Sequence, residues 1–283
     1  APIPSFAGNN VCQSSLITFT NTSSIPAGSI VSYNWNLANL QNSNLTNPST
    51  QYTSPGSKTV TLTAVSNLGC TASYTGVVNV NPLPVVNYTA SNVCLGQANN
   101  STNLSNISSG NITNYVWNFT GFNTSTAQNP SYTFPNNGPY NVQLTAVSDM
   151  NCVNTIIKQV MVHAIPVADF TIPNGCAMNQ LNITNNSSVQ NASLATFLWT
   201  FGQNAAAFVH TPTYFYPAPG NYTVSLMVYS SYSCSAQQTK TISIYAVPQV
   251  GFQSNVACHN QATQFNNSTI ISNGYVAKWR WDF

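Results

Sequence analysis

The sequence has 283 residues with a formal net charge of +2, and only 3% of it is charged, against roughly a quarter in ordinary globular chains. Five scattered cations (Lys58, Lys158, Lys240, Lys278 and Arg280) make no basic patch, so nucleic acid and anionic membrane surfaces are poor partners. Apolar runs fall short of the roughly 18 residues that span a bilayer, and with Asp149, Asp169 and Asp282 as the three acids, solubility rests on Asn, Ser and Thr.

The chain repeats itself, and repeats of this length set the architecture. Tyr33-Asn34-Trp35-Asn36-Leu37 returns as Tyr115-Val116-Trp117-Asn118-Phe119, as Phe197-Leu198-Trp199-Thr200-Phe201 and as Trp279-Arg280-Trp281-Asp282-Phe283. The tryptophans at 35, 117, 199 and 281 keep an interval of 82 residues without insertion or deletion. Expected domains are therefore 1–81, 82–164, 165–246 and an incomplete 247–283. Ala1 opens directly on a repeat and Phe283 falls in mid-repeat, so the chain reads as a mature or excised piece of something longer.

Within a unit, prolines (Pro2 and Pro4, Pro82 and Pro84, Pro166, Pro248) lead into a first short strand carrying Phe6, Tyr88, Phe170 or Phe252. A turn at the first cysteine precedes a second strand, 16–21 in the first unit, with Phe19, Ile183 or Phe265 inward. The second unit has Ser101 there, which predicts a thinner core or help from Leu104. The tryptophan strand begins near Ile30, Ile112 and Leu194. A polar connection follows, then an extended piece marked by Pro48, Pro130 and Pro212. The next strand enters through Gly56, Gly138 or Gly220, and its inward residues are Val60/Leu62/Ala64, Val142/Leu144/Ala146 and Val224/Leu226/Val228, alternating with polar ones. A last strand with Val78 and Val80, Val160 and Val162, or Ile242 and Ile244 runs into the next proline.

About seven short alternating strands per unit, with Gly, Pro and Asn turns and no helical period, predict an all-β tandem array of immunoglobulin-like sandwiches. An odd strand count puts the termini of a unit at opposite poles, so units joined by short proline-rich links stack end to end as a rod. Trp35, Trp117, Trp199 and Trp281, with Val60, Leu62, Val142, Leu144, Val224 and Leu226, are the expected core. Trp279 is expected inside as well.

These motifs resemble the PKD (polycystic kidney disease) domain family, over the whole chain. Trp281-Asp282-Phe283 is similar to its first motif, Asn47-Pro48 and Asn129-Pro130 to the second, and 219–226 (Pro-Gly-Asn-Tyr-Thr-Val-Ser-Leu) to the third. The motif acid is replaced by Asn36, Asn118 and Thr200, so the resemblance carries no calcium site here; no cofactor is expected. The extra cysteines look like those of long surface proteins of Bacteroidetes-type bacteria. That likeness implies PKD adhesins and gliding-motility proteins exported by the type IX system.

Cys12, Cys94, Cys176 and Cys258 keep the period, as do Cys70, Cys152 and Cys234. Without any C-x-x-C spacing this pattern indicates disulfides and an oxidising, extracellular or cell-surface compartment. Pairing inside units would join Cys12–Cys70, Cys94–Cys152 and Cys176–Cys234. Sandwich topology places those cysteines at opposite poles, and pairing across junctions would join Cys12–Cys152 and Cys94–Cys234. Both patterns stay open, because a curved first strand rescues the former.

The inventory for catalysis is thin: Asp149, Asp169 and Asp282, like His163, His210 and His259, occupy unrelated repeat positions, whereas acid–base pairs and metal sites need convergence. The expected function is a non-catalytic structural or adhesive segment of an extracellular surface protein or filament. Its partners are neighbouring repeats and other copies of itself. The second expectation is an accessory PKD module of a secreted polysaccharide- or protein-degrading enzyme.

Overall fold

A computed structural model describes residues 1–283 except 39, 40, 120, 122 and 204. Its elements are all β-strands, and among the described residues no helix is long and apolar enough to cross a membrane. The chain packs as two compact units, one of residues 1–93, 97–134 and 139–161, the other of residues 94–96, 135–138 and 162–283.

The first repeat contains β1 (Phe6–Ala7), β2 (Val11–Cys12), β3 (Leu16–Thr18), β4 (Thr20–Asn21), β5 (Ile30–Asn36), β6 (Asn42–Ser43), β7 (Ser49–Gln51), β8 (Gly56–Ser66) and β9 (Thr71–Asn81). One five-stranded sheet runs β2-β9-β8-β5-β6, with β2 parallel to β9. The pairs β1-β4 and β3-β7 supply the facing strands. Nine strands are present rather than seven because the first two each serve two partners. The first pairs with β4, then crosses over as β2 to join β9; the second divides at Phe19 between β7 and β1. The same order recurs in the next two repeats, so each is an immunoglobulin-like sandwich.

Binary patterning explains the core. Val60, Leu62 and Ala64 are fully buried on one face of β8, and the other face is tied to β9 by hydroxyls, Thr61 to Thr75 at 3.1 Å and Thr63 to Ser73 at 2.8 Å. Such cross-strand pairs stabilise a sheet without charge. Trp35 sits opposite Leu62, Trp117 opposite Leu144 and Trp199 opposite Leu226. Each indole N–H donates to a carbonyl ten residues on, at Leu45, Ala127 or Val209, over 2.9–3.0 Å. The ring fills the core while its polar edge pins the polar connection. The first-strand aromatic meets the indole from the facing layer, at 5.2 Å for Phe6, 5.0 Å for Tyr88 and 5.2 Å for Phe170.

Several expected burials are corrected. Trp281 keeps its aromatic partner, Phe252 at 5.5 Å, but is 39% exposed. The positions that pair with tryptophan in the other repeats lie past residue 283, so no strand covers its second face. Trp279 and Phe265 are exposed for the same reason. In the second repeat Leu104 is exposed and gives Ser101 no help. Buried Asn99 and Ser101 replace the apolar pairs Ile17/Phe19 and Leu181/Ile183, and they satisfy each other: Ser101 donates to Asn99 Oδ1 at 3.0 Å, and Asn99 Nδ2 donates to Ser91 O at 2.5 Å.

Candidate functional site: the cysteine junctions between repeats

The first cysteine of each of the first three repeats ends a two-residue strand held against the last strand of the same repeat. Val11 pairs with Val80 and Cys12 with Asn81. Asn10, Asn92 and Asn174, two residues before the cysteine, accept the N–H of Asn79, Met161 and Ser243 at 2.8–2.9 Å. This fixes the cysteine where the chain leaves the repeat. The clamp was legible as an asparagine with the 82-residue period.

The second cysteine occupies the tight turn between the two longest strands. Ser66, Ser148 and Ser230 donate their N–H to the carbonyls of Cys70, Cys152 and Cys234 at 2.8–2.9 Å, and their hydroxyls accept the cysteine N–H at 3.1–3.3 Å. One serine thus closes each turn from both sides.

These two features meet between successive repeats. Cys12 is bonded to Cys152 and Cys94 to Cys234, with Cα–Cα distances of 5.6 and 5.7 Å and a sequence separation of 140 in both cases. Each bond lies within one compact unit. Cys152 and Cys234 are buried, whereas Cys70, Cys176 and Cys258 are free thiols, Cys176 half-buried and the others exposed. Pairing within repeats is therefore not what the structure contains. Packing across the junction accompanies the second bond: His163 stacks on Tyr232 with ring centroids 3.8 Å apart.

The other candidate residues are dispersed. His163 belongs to this stacking, His210 lies edge-on to Phe197 at 4.8 Å, and His259 is exposed. Asp149 accepts the Asn111 N–H at 3.0 Å and holds the turn before the tryptophan strand. Asp169 pairs with Lys240 at 2.9 Å, and this hydrogen bond holds its carboxyl below the usual range. Among the described residues, no three His, Cys, Asp or Glu side chains gather as metal ligands. Asn36 and Asn118, which replace the motif acid, accept backbone N–H groups of Ala38 at 3.0 Å and Gly121 at 2.6 Å, so these side chains close their own turn. The Tyr222 hydroxyl donates to Ala218 O at 2.8 Å, as a tyrosine corner does. Lys158 and Lys240, unassigned from sequence, lie over the rings of Tyr88 and Phe170 at 5.0 and 5.1 Å and donate to the carbonyls of those same residues.

A model of the PKD domain matches residues 1–82, 79–162 and 163–244. The chain belongs to the PKD domain family. The pre-pro-metalloprotease PrtV of Vibrio cholerae, in two strains, is 31% identical over 141 residues. That match spans 50% of this chain and only 15% of the relative's length. Among solved structures, the PKD1 domain of Vibrio anguillarum Epp is 26% identical, covering 29% of this chain and 95% of that one with a TM-score of 0.28. The PKD1 domain of the V. cholerae metalloprotease PrtV is 28% identical, covering 28% of this chain and 96% of that one with a TM-score of 0.27. The PKD resemblance read from the tryptophan, Asn-Pro and Pro-Gly motifs is thereby established for three repeats.

Proposed function

We propose that this PKD array is a non-catalytic structural segment of an extracellular surface protein, a stalk of the adhesin type in which disulfides couple each repeat to the next. The observation that carries the reading is the pair of bonds Cys12–Cys152 and Cys94–Cys234, which join successive repeats where most disulfides of small secreted domains lie within one. Because the two loops overlap, the shortest covalent path crosses from Cys12 to Cys152, returns 58 residues to Cys94 and crosses again to Cys234. Most of the chain is thus shielded from tension applied at its ends.

Single-molecule extension tests this reading. Reduction should lengthen the fully unfolded chain by roughly 550 Å, at about 3.5 Å per released residue. Equal contour lengths with and without reductant would reject a load-bearing coupling. The similarity to PrtV favours a second reading, in which these repeats are accessory modules of a secreted enzyme. Cosedimentation of the chain with insoluble polysaccharide or denatured protein, abolished by substituting exposed aromatics such as Phe208 or Phe215, would favour the second reading over the first.

A further inference from the structure

The long strand edges of the first three repeats are not guarded alike. An open edge pairs with other chains unless a bulge, a charge or a proline blunts it. Strand β5 and its counterparts are bulged, between Ile30 and Ser32, Ile112 and Asn114, and Leu194 and Thr196. The last strands of the second and third repeats, Val153–His163 and Ser235–Tyr245, carry a lysine at mid-edge that points inward over an aromatic ring, Lys158 over Tyr88 and Lys240 over Phe170. A docked strand would strip water from that ammonium. Strand β9 has neither guard. Gly76 stands at the lysine position, Thr71–Asn81 contains no charge and no proline, and its register with β8 is unbroken.

Its neighbours show which groups β9 presents. Asn79 donates its N–H to Asn10 Oδ1 at 2.9 Å, and Asn81 O accepts the Gln13 N–H at 2.8 Å. Odd-numbered residues thus face away from β8. Strand β2 covers only Val80 and Asn81, which leaves the N–H and C=O groups of Thr71, Ser73, Thr75 and Val77 along an open edge. Tyr74 is 42% exposed and Val77 62% exposed on the same stretch.

We propose that this edge docks the same strand of a second copy of the chain, antiparallel about a two-fold axis at Thr75. Self-complementarity selects the occupant. In that register Thr75 faces Thr75 and Ser73 faces Val77, pairs that exchange both of their backbone hydrogen bonds. Tyr74 of each copy then faces Gly76 of the other, and its ring covers the backbone that an edge glycine leaves bare. No like charges meet. A single strand pair is smaller than the roughly 1,600 Å² of a stable interface, so the affinity belongs in the micromolar-to-millimolar range. The pairing goes beyond the stalk reading, since the edge is open whichever larger protein carries it.

Sedimentation velocity of the disulfide-bonded chain, with its free thiols alkylated, should show monomer giving way to dimer as the concentration rises toward millimolar. Amide exchange followed by NMR at Ser73, Thr75 and Val77 should slow several-fold over the same range. Thr75→Lys sets two cations face to face at an exposed position and should abolish the dimer while leaving the circular dichroism spectrum unchanged. Thr239→Lys, the matched change in the third repeat, should leave the dimer intact. A chain that stays monomeric at millimolar concentration overturns the proposal. So does a dimer that survives Thr75→Lys, is lost with Thr239→Lys, or protects the matched amides of the second or third repeat instead. Protection of Ser73, Thr75 and Val77 gained only from an added foreign extended peptide overturns it too.

Discussion

Trp35, Trp117 and Trp199 each join three parts of a repeat: the ring meets the first-strand aromatic and the opposed leucine, and the N–H holds the polar connection. Trp199→Ala should destabilise its repeat by about 3–5 kcal/mol, read as a shift of the denaturant midpoint. Trp281→Ala should cost far less, because that side chain lacks its covering strand. The tryptophan period was legible from sequence; the exposure of Trp281, whose second face no described strand covers, was not. Tyr216 carries a pH signature. Burial, then its neighbours Tyr214 and Tyr222, push its phenol up to about 12 from an ordinary 10. A raised folded value means that the neutral phenol contributes fully below pH 10, and its stabilisation is lost as pH climbs through 12. Alkaline titration of stability should show that decline, and Tyr216→Phe should blunt it. Phe134 already fills the matched position in the second repeat.

At the scale of elements, β8 and its counterparts were readable because alternation over eleven residues leaves one face no choice but burial. The two-residue strands were not. Their length is set by which sheet each half of a strand finds, a tertiary matter that local pattern does not encode. Short edges have a consequence: β2 and β6, at the edges of the five-stranded sheet, are two residues each and pair with only Val80 and Asn81 of β9 and Trp35 and Asn36 of β5, so the rest of each longer strand has no strand partner on that side and is open to pairing with another chain. On the proposed stalk reading, copies of this chain would meet through these open edges and the hydroxyl-lined faces. Association through them should change little between low and high salt in sedimentation runs. The second repeat offers a sharper test of element packing. Ser101→Ala removes the donor to buried Asn99 Oδ1 and should cost about 1–3 kcal/mol. Replacing both residues by the apolar pair of a neighbouring repeat should recover most of that loss. Gly76 shows the same local bargaining: a Cβ there would come within 2.8 Å of the Phe6 ring, whereas the matched Lys158 and Lys240 cover Tyr88 and Phe170.

For the molecule as a whole, the cysteines decide whether the repeats act separately or together. Sequence left two pairings open, since both satisfy the period and only the positions of the poles tell them apart. Closing a 140-residue loop contributes about 5 kcal/mol on the chain-entropy model. Changing Cys12 and Cys152 together to serine should therefore lower stability by about 2–5 kcal/mol and leave the individual sandwiches folded by circular dichroism. The most direct measurement is disulfide mapping of the unreduced, alkylated chain by proteolysis and mass spectrometry. Peptides joining Cys12 to Cys152 and Cys94 to Cys234, with Cys70, Cys176 and Cys258 alkylated, are the predicted result. Peptides joining Cys12 to Cys70, Cys94 to Cys152 or Cys176 to Cys234 would contradict it.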